Sequence, residues 1–158
     1  PSYEFVWDDA SFGISPNVVT QVPLETPTPG PPQRSAAQPF NADTFKGNIN
    51  ALHSNIQQLG GLLDRLYRGS RETCEEFNRY YKDIATVSFF TDVPADWAAA
   101  HGEYQFAAEH VTDTSRDIYI ICSGGGGGLT ELIYGTSRIG INDALNRLNP
   151  VVDAANQR

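Results

Sequence analysis

Residues 45–66, FKGNINALHSNIQQLGGLLDRL, carry the most regular hydrophobic pattern of this chain. Large apolar residues recur in them at spacings of four and three in strict alternation: Phe45, Ile49, Leu52, Ile56, Leu59, Leu63 and Leu66. Side chains three and four residues apart lie on one face of an α-helix, so these residues form a continuous apolar stripe. The pattern predicts an amphipathic helix over about residues 43–68, with the stripe buried against other helices.

Three more amphipathic segments follow this first helix. One is predicted at about residues 71–90. The next, at about residues 95–122, has its own stripe at spacings of three and four: Trp97, Ala100, Tyr104, Ala107, Val111, Thr114, Ile118 and Ile121. The glycine run 124–128 ends it, because consecutive glycines lose too much backbone entropy to stay helical. The last helix is predicted at about residues 129–155.

Four amphipathic helices joined by short connections predict an all-α fold, an up-down-up-down antiparallel four-helix bundle. An arm rich in proline precedes the bundle, since eight of the ten prolines lie in residues 1–40. Its stretch VPLETPTPGPPQRSAAQP, residues 22–39, has almost no large apolar residue and is typical of an extended polyproline-like segment. We therefore divide the chain near residue 40, into an arm of residues 1–40 and a bundle of residues 41–158, and expect no strand after Pro39.

The two cysteines of the chain, Cys74 and Cys122, test this topology. Cys74 opens the second predicted helix and Cys122 closes the third, and antiparallel neighbours bring these positions to the same end of a bundle. We therefore predict a disulfide between them. A disulfide indicates an oxidising, extracytoplasmic compartment, which means the periplasm, the cell surface or the medium. Two buried free thiols are the alternative.

Composition narrows the classes of function. Lys and Arg number 11 against 19 Asp and Glu, and the resulting net charge of −8 disfavours binding to nucleic acid. No run of residues approaches the ~18 apolar residues that span a bilayer, so we expect no direct membrane span. The chain contains no Met, even at position 1, and we expect it to be a processed product or an excised segment.

The motifs of cofactor binding and nucleophilic catalysis are missing from the sequence. It has no Glu-x-x-His for a di-iron site, no C-x-x-C-H for attached haem and no G-x-S-x-G around a serine. His101 and His110 are nine residues apart, on opposite faces of one predicted helix, and cannot share a site. Glu103 and His110 are seven apart and can point at one partner. We therefore expect no enzyme, no metal and no cofactor.

Two groups of aromatic residues are candidate binding elements. Near the second and third helices, the candidate lining of an apolar ligand pocket is Phe77, Tyr81, Trp97 and Tyr104. At the N-terminus, the stretch SYEFVWDD, residues 2–9, has Tyr3, Phe5 and Trp7 at alternate positions, with two acids behind them. Alternate side chains of a strand point the same way, so we predict that these three rings dock on a protein surface.

These features predict a non-enzymatic, extracytoplasmic assembly module, a disulfide-stapled bundle that docks to neighbouring subunits or a larger complex through its arm. Extended residues 8–40 reach up to ~100 Å, well beyond a bundle of ~40 Å. The arm can instead fold back on its own bundle, and this alternative stays open. The alternative function is a carrier or sensor that binds a small apolar ligand in the bundle core.

Overall fold

The computed structural model describes residues 30–157. Within this range the chain forms five α-helices and two short strands, and the predicted all-α class is confirmed. In chain order the elements are β1 (Gln38–Pro39), α1 (Ala42–Tyr67), α2 (Cys74–Ala85), β2 (Phe90–Thr91), α3 (Ala95–Thr114), α4 (Arg116–Cys122) and α5 (Glu131–Asn156). A single 3-10 turn, Arg71–Thr73, precedes α2.

Helix α1 forms as its periodicity predicts. The side chain of Asn41 accepts a hydrogen bond from the backbone N–H of Thr44 at 2.9 Å, which satisfies a donor that the first turn leaves free. Every residue of the apolar stripe is buried, and the stripe forms one wall of the hydrophobic core. Gly69 ends the helix in the left-handed region, with φ of 98°, and its N–H donates to the carbonyl of Leu66 at 3.0 Å.

Helix α2 is shorter than predicted, because the segment after it leaves the helix and enters strand β2 at Phe90. The helix ends at Ala85 instead of continuing to residue 90, and Thr86 caps it. The following sequence Val-Ser-Phe-Phe is rich in β-branched and aromatic residues, which favour extended backbone. Asp92, with φ of 56°, then turns the chain toward α3. The prediction of one helix over residues 71–90 was therefore wrong at its end.

The two strands join the arm to the helices. Strands β1 and β2 run parallel, with Gln38 opposite Phe90 and Pro39 opposite Thr91. The N–H of Gln38 donates to the carbonyl of Phe89 at 3.0 Å, and the N–H of Phe40 to that of Thr91, also at 3.0 Å. Our expectation of no strand after Pro39 was wrong. The arm supplies a backbone partner for residues 90 and 91, and the pattern of apolar residues along the helices does not show this partner. The division of the chain near residue 40 stays a prediction.

The third predicted helix is divided at Ser115 into α3 and α4. Ser115, with φ of −101° and ψ of 1°, leaves the helical region, and its buried hydroxyl lies 2.6 Å from the hydroxyl of Ser137 on α5. Just before it, the hydroxyl of Thr112 donates to the carbonyl of Ala108 at 2.6 Å. Hydroxyls that bond back to the preceding turn bend helices, and three Ser or Thr residues lie within 112–115. The single helix over residues 95–122 was therefore wrong at this point.

Helix α5 packs on both α1 and α3 and runs opposite to each of them. Along α1, the side chain of Asn50 bonds to Asn156 at 3.1 Å, whereas Asp64, further along α1, pairs with Arg138, which lies earlier in α5, at 3.4 Å. Along α3, Glu103 pairs with Arg147 at 2.8 Å. Helix α2 packs on α1 and α3. The described helices therefore surround one core, to which the stripe of α1 contributes most.

Within residues 30–157, every helix is too short or too polar to cross a membrane.

Candidate docking site

The predicted disulfide is present and joins two helix ends. Cys74, the first residue of α2, is bonded to Cys122, the last residue of α4, with 5.0 Å between their Cα atoms. The bridge closes a loop with a sequence separation of 48 residues. On the chain-entropy model, a loop of this length stabilises the fold by about 4 kcal/mol. The disulfide therefore fixes the end of the molecule where α1 ends and α2 begins.

Beside the disulfide lies a cleft of about 320 Å³, lined by apolar side chains and by nearly as much polar surface. The sequence assigned Leu66, Ile118 and Ile121 to buried stripes and did not single out the other lining residues Tyr67, Arg71 and Leu129. Among the described residues around this space, which we call the disulfide cleft, Arg71 alone carries a charge. The cleft can therefore hold an apolar group and place a guanidinium beside it.

Tyr67, at the rim of the disulfide cleft, is held by a stack of two aromatic rings. It is 45 % exposed, and its ring stacks on that of Tyr134 with 4.1 Å between the centroids. The hydroxyl of Tyr134 donates to a carboxylate oxygen of Asp64 at 3.0 Å, and this bond raises the pKa of Tyr134. Arg138 pairs with the same carboxylate. The exposed ring is thus positioned by a network that links α1 to α5.

At the opposite end of α1, aromatic rings attach the arm to the helices. Phe40, from the arm, lies 5.7 Å from Phe45 and 5.8 Å from Trp97, measured between ring centroids. Phe45 is fully buried and also contacts Phe90 edge-on at 5.5 Å and Tyr104 at 5.6 Å. Tilted and edge-on pairs at these distances are favourable. We call the segment of residues 35–40 the arm root, and it is part of the packed structure.

His101 ties strand β2 to α3 within this cluster. Its Nε2 accepts a hydrogen bond from the backbone N–H of Phe90 at 3.1 Å. A backbone N–H can only donate, so Nε2 carries no proton and the ring is neutral. Burial lowers the pKa of His101, which is only 8 % exposed. The residue is a structural acceptor in this setting.

The other two histidines and Glu103 also contact a neighbouring helix. His53 lies 2.7 Å from the side-chain oxygen of Asn149, and His110 lies 3.7 Å from Asp143. Glu103 pairs with Arg147, so Glu103 and His110 do meet one partner, which is α5 of the same chain. Across residues 30–157, the structure brings no three His, Cys, Asp or Glu side chains together at metal-binding distance.

The four residues of the predicted apolar pocket all lie in the core. Tyr81 stacks on Tyr119 at 4.6 Å and donates to the carbonyl of Thr112, and burial raises its pKa to about 12. Trp97 and Tyr104 both contact Phe45 in the ring cluster, and Phe77 is fully buried. A ligand pocket lined by all four stays a prediction. The predicted docking residues Tyr3, Phe5 and Trp7 lie outside the described residues.

One sequence signal could have located the disulfide cleft. The predicted pairing of Cys74 with Cys122 places residues 66–74 and 118–129 at the same end of the molecule, and both stretches carry unassigned apolar side chains. The glycine run indicates by its sequence only the end of a helix, whereas Gly128 lines the cleft.

Comparison of the chain with protein-family models, with curated proteins and with solved structures finds no significant match.

Proposed function

We propose that this protein is a non-enzymatic, extracytoplasmic assembly module that docks to neighbouring copies through its N-terminal arm. The observation that supports this proposal best is the attachment of the arm root to the helices. Its backbone N–H groups bond to residues 86–91 at three points, at Ser35, Gln38 and Phe40. The chain that precedes residue 30 therefore starts from a fixed position on the helices.

The helix contacts support an up-down-up-down bundle behind this arm. Helix α1 packs on α2 and α5, and α3 packs on the same two helices, so the four form a closed ring of neighbours. We treat α3 and α4 as one bent helix of this bundle. The disulfide then links the start of the second helix to the end of the third, at one end of the molecule. Such a bundle is a rigid body from which an arm can act.

The disulfide also supports the extracytoplasmic location. Reducing compartments keep thiols free, whereas disulfides persist in the periplasm, at the cell surface and in the medium. Both cysteines of this chain are in the bridge.

The non-enzymatic assignment is supported by the contacts that the titratable side chains make with other elements of the fold. His53, His101 and His110 each contact a partner on another element, at 2.7, 3.1 and 3.7 Å respectively. Glu103 and Asp64 are paired with arginines of α5. General acid-base catalysis needs such a group to be within reach of a substrate proton. In this protein the same groups join helices to each other.

Sedimentation equilibrium of the full chain tests the proposed function. We expect the mass to exceed the monomer value of 17.3 kDa and to grow with concentration. The variant Tyr3→Ala/Phe5→Ala/Trp7→Ala is expected to stay monomeric, because it removes the three alternate rings. A matched control, Phe12→Ala/Ile14→Ala/Leu24→Ala, removes apolar surface from the same arm outside the alternating stretch and is expected to associate like the unmodified chain. A monomeric unmodified chain, or association unaffected in the first variant, contradicts the proposal.

A further inference from the structure

Resting on the function proposed above, we infer that the disulfide cleft of one copy receives Trp7 from the arm of a neighbouring copy, with Asp8 and Asp9 placed at Arg71. The receptor of each arm is then the disulfide cleft of a neighbouring copy, and the copies assemble head to tail.

The chemistry of the cleft defines its ligand. The lining of the cleft is about half apolar, from side chains such as Leu66, Ile118 and Leu129, the volume is about 320 Å³, and Arg71 supplies a positive charge. An apolar space of this size takes one aromatic ring, which buries a large area at low entropic cost. A guanidinium beside the space favours a carboxylate that directly follows the ring, since Arg binds carboxylates through two parallel hydrogen bonds. The expected ligand is a large aromatic residue next to an acid in an extended peptide.

The arm supplies this ligand in its own sequence. Trp7 is followed directly by Asp8 and Asp9. Residues 1–33 contain four acids and no Lys or Arg, so the arm carries a formal charge of −4. The disulfide end of the helices carries charges of both signs, and Arg65, Arg79 and Arg138 are paired there with Glu76 and Asp64. The charge complementarity is therefore local: Arg71 is the charged side chain of the described cleft lining, and a carboxylate of the arm pairs with it.

The position of the arm root allows a second copy to serve as the receptor. The root lies where α1 begins and the disulfide cleft lies where α1 ends, and α1 has 26 residues, which span about 39 Å. Donor and receptor thus lie at opposite ends of one molecule. A donor at one end and a receptor at the other generate a heterologous contact that repeats from copy to copy. Residues 8–33, extended at ~3.1 Å per residue, are long enough to bridge two such molecules.

The fluorescence of Trp7 provides the first test. The chain has two tryptophans, and Trp97→Phe in the full chain leaves Trp7 as the sole reporter. We expect its emission to shift to shorter wavelength as concentration rises, in step with the increase in mass, because the indole leaves water. A shifted emission at all concentrations with monomer mass would show docking within one copy and overturn the inference. Solvent-exposed emission in the associated protein would overturn it as well.

Charge reversal provides the second test. Arg71 is exposed, so Arg71→Glu is expected to leave the fold intact while it weakens association about tenfold or more. The matched control is Arg116→Glu, which makes the same charge change at another exposed arginine outside the cleft lining. The variant Asp8→Arg/Asp9→Arg is expected to lose association to a similar degree.

Mixing the two charge-reversed chains separates a neighbouring copy from the same copy. In an equimolar mixture, each arm finds a cleft of opposite charge only on the other chain, so we expect association to return to the level of the unmodified protein. A mixture that stays monomeric contradicts the inference. If the three-ring variant is monomeric while Arg71→Glu associates normally, the arm docks elsewhere: the proposed function then stands and the cleft is not its receptor.

Discussion

The backbone N–H of Phe90 donates to Nε2 of His101 at 3.1 Å, and this bond joins the strand that holds the arm root to helix α3. The imidazole lies among rings, with Phe45, Phe89 and Tyr104 each within 6.3 Å of it between centroids. Protonation of Nε2 would place two N–H donors face to face in this apolar setting. We therefore expect the attachment of the arm root to depend on pH.

We expect the protein to lose stability as the pH falls below about 6.5, the ordinary pKa of histidine. Burial lowers the pKa of His101 in the folded state, so below this pH the unfolded chain binds a proton that the folded one does not. The contribution of His101 to the free energy of unfolding is fully present above pH 6.5. It declines as the pH falls toward the lower pKa of the folded state. Urea unfolding at a series of pH values, from 7.5 to about 5, measures this slope.

Two matched substitutions assign the slope to one residue. His101→Gln removes the titrating group and is expected to flatten the profile between these pH values. His110→Gln removes a half-exposed histidine that contacts Asp143, and most of the slope is expected to remain. An unchanged slope in His101→Gln would refute the assignment.

Helices α5 and α3 approach each other closely at Gly140, so alanine substitutions at Gly140 and at Gly135 are expected to change the stability in opposite directions. A Cβ at Gly140 would collide with the side chain of Thr114, whereas one at Gly135 meets no atom within 4 Å. Gly140→Ala is therefore expected to lower the free energy of unfolding by about 1–3 kcal/mol through overpacking. Gly135→Ala on the same helix is expected to raise it by up to about 1 kcal/mol, since alanine favours helices. Urea unfolding of both variants checks the signs, and equal signs would contradict this account of the helix contact.

Removal of the disulfide is expected to destabilise the protein without changing its fold. Cys74→Ser/Cys122→Ser frees the closed loop in the unfolded chain, and we expect a loss of about 4 kcal/mol on the chain-entropy model. Urea unfolding measures the loss, and a circular dichroism spectrum controls for retained helices. A thiol count on denatured, unreduced protein from its natural source tests the compartment. Two free thiols there would contradict the extracytoplasmic location.

The sequence predicted those features that depend on one element alone or on the order of neighbouring helices. The stripe of α1 needs only a periodic placement of apolar residues, and all its members are buried as predicted. The disulfide followed from the order of helices, because Cys74 and Cys122 flank elements that lie side by side.

The features that sequence reasoning missed depend on contacts between distant segments. Phe90 belongs to a strand because residues 38–40 pair with its backbone in parallel, and the sequence around Phe90 does not indicate this partner. Ser115 interrupts a helix where Ser137, on another helix, meets its hydroxyl in the core, a contact that adds to the local bending at Thr112. Arg71 lines the disulfide cleft only once the disulfide has brought two loops together.

The measurement that tests the central claim most directly is cross-linking from position 7 in a mixture of chains with two different isotope contents. A photoreactive phenylalanine analogue replaces Trp7 in chains of natural isotope content, which are mixed with ¹⁵N-labelled unmodified chains, and mass spectrometry maps the attachment sites. The account predicts that light position 7 attaches to heavy Ile121 or Leu129, in the disulfide cleft of another copy. Attachment confined to light chains at monomer concentrations, or to surfaces away from this cleft, would contradict it.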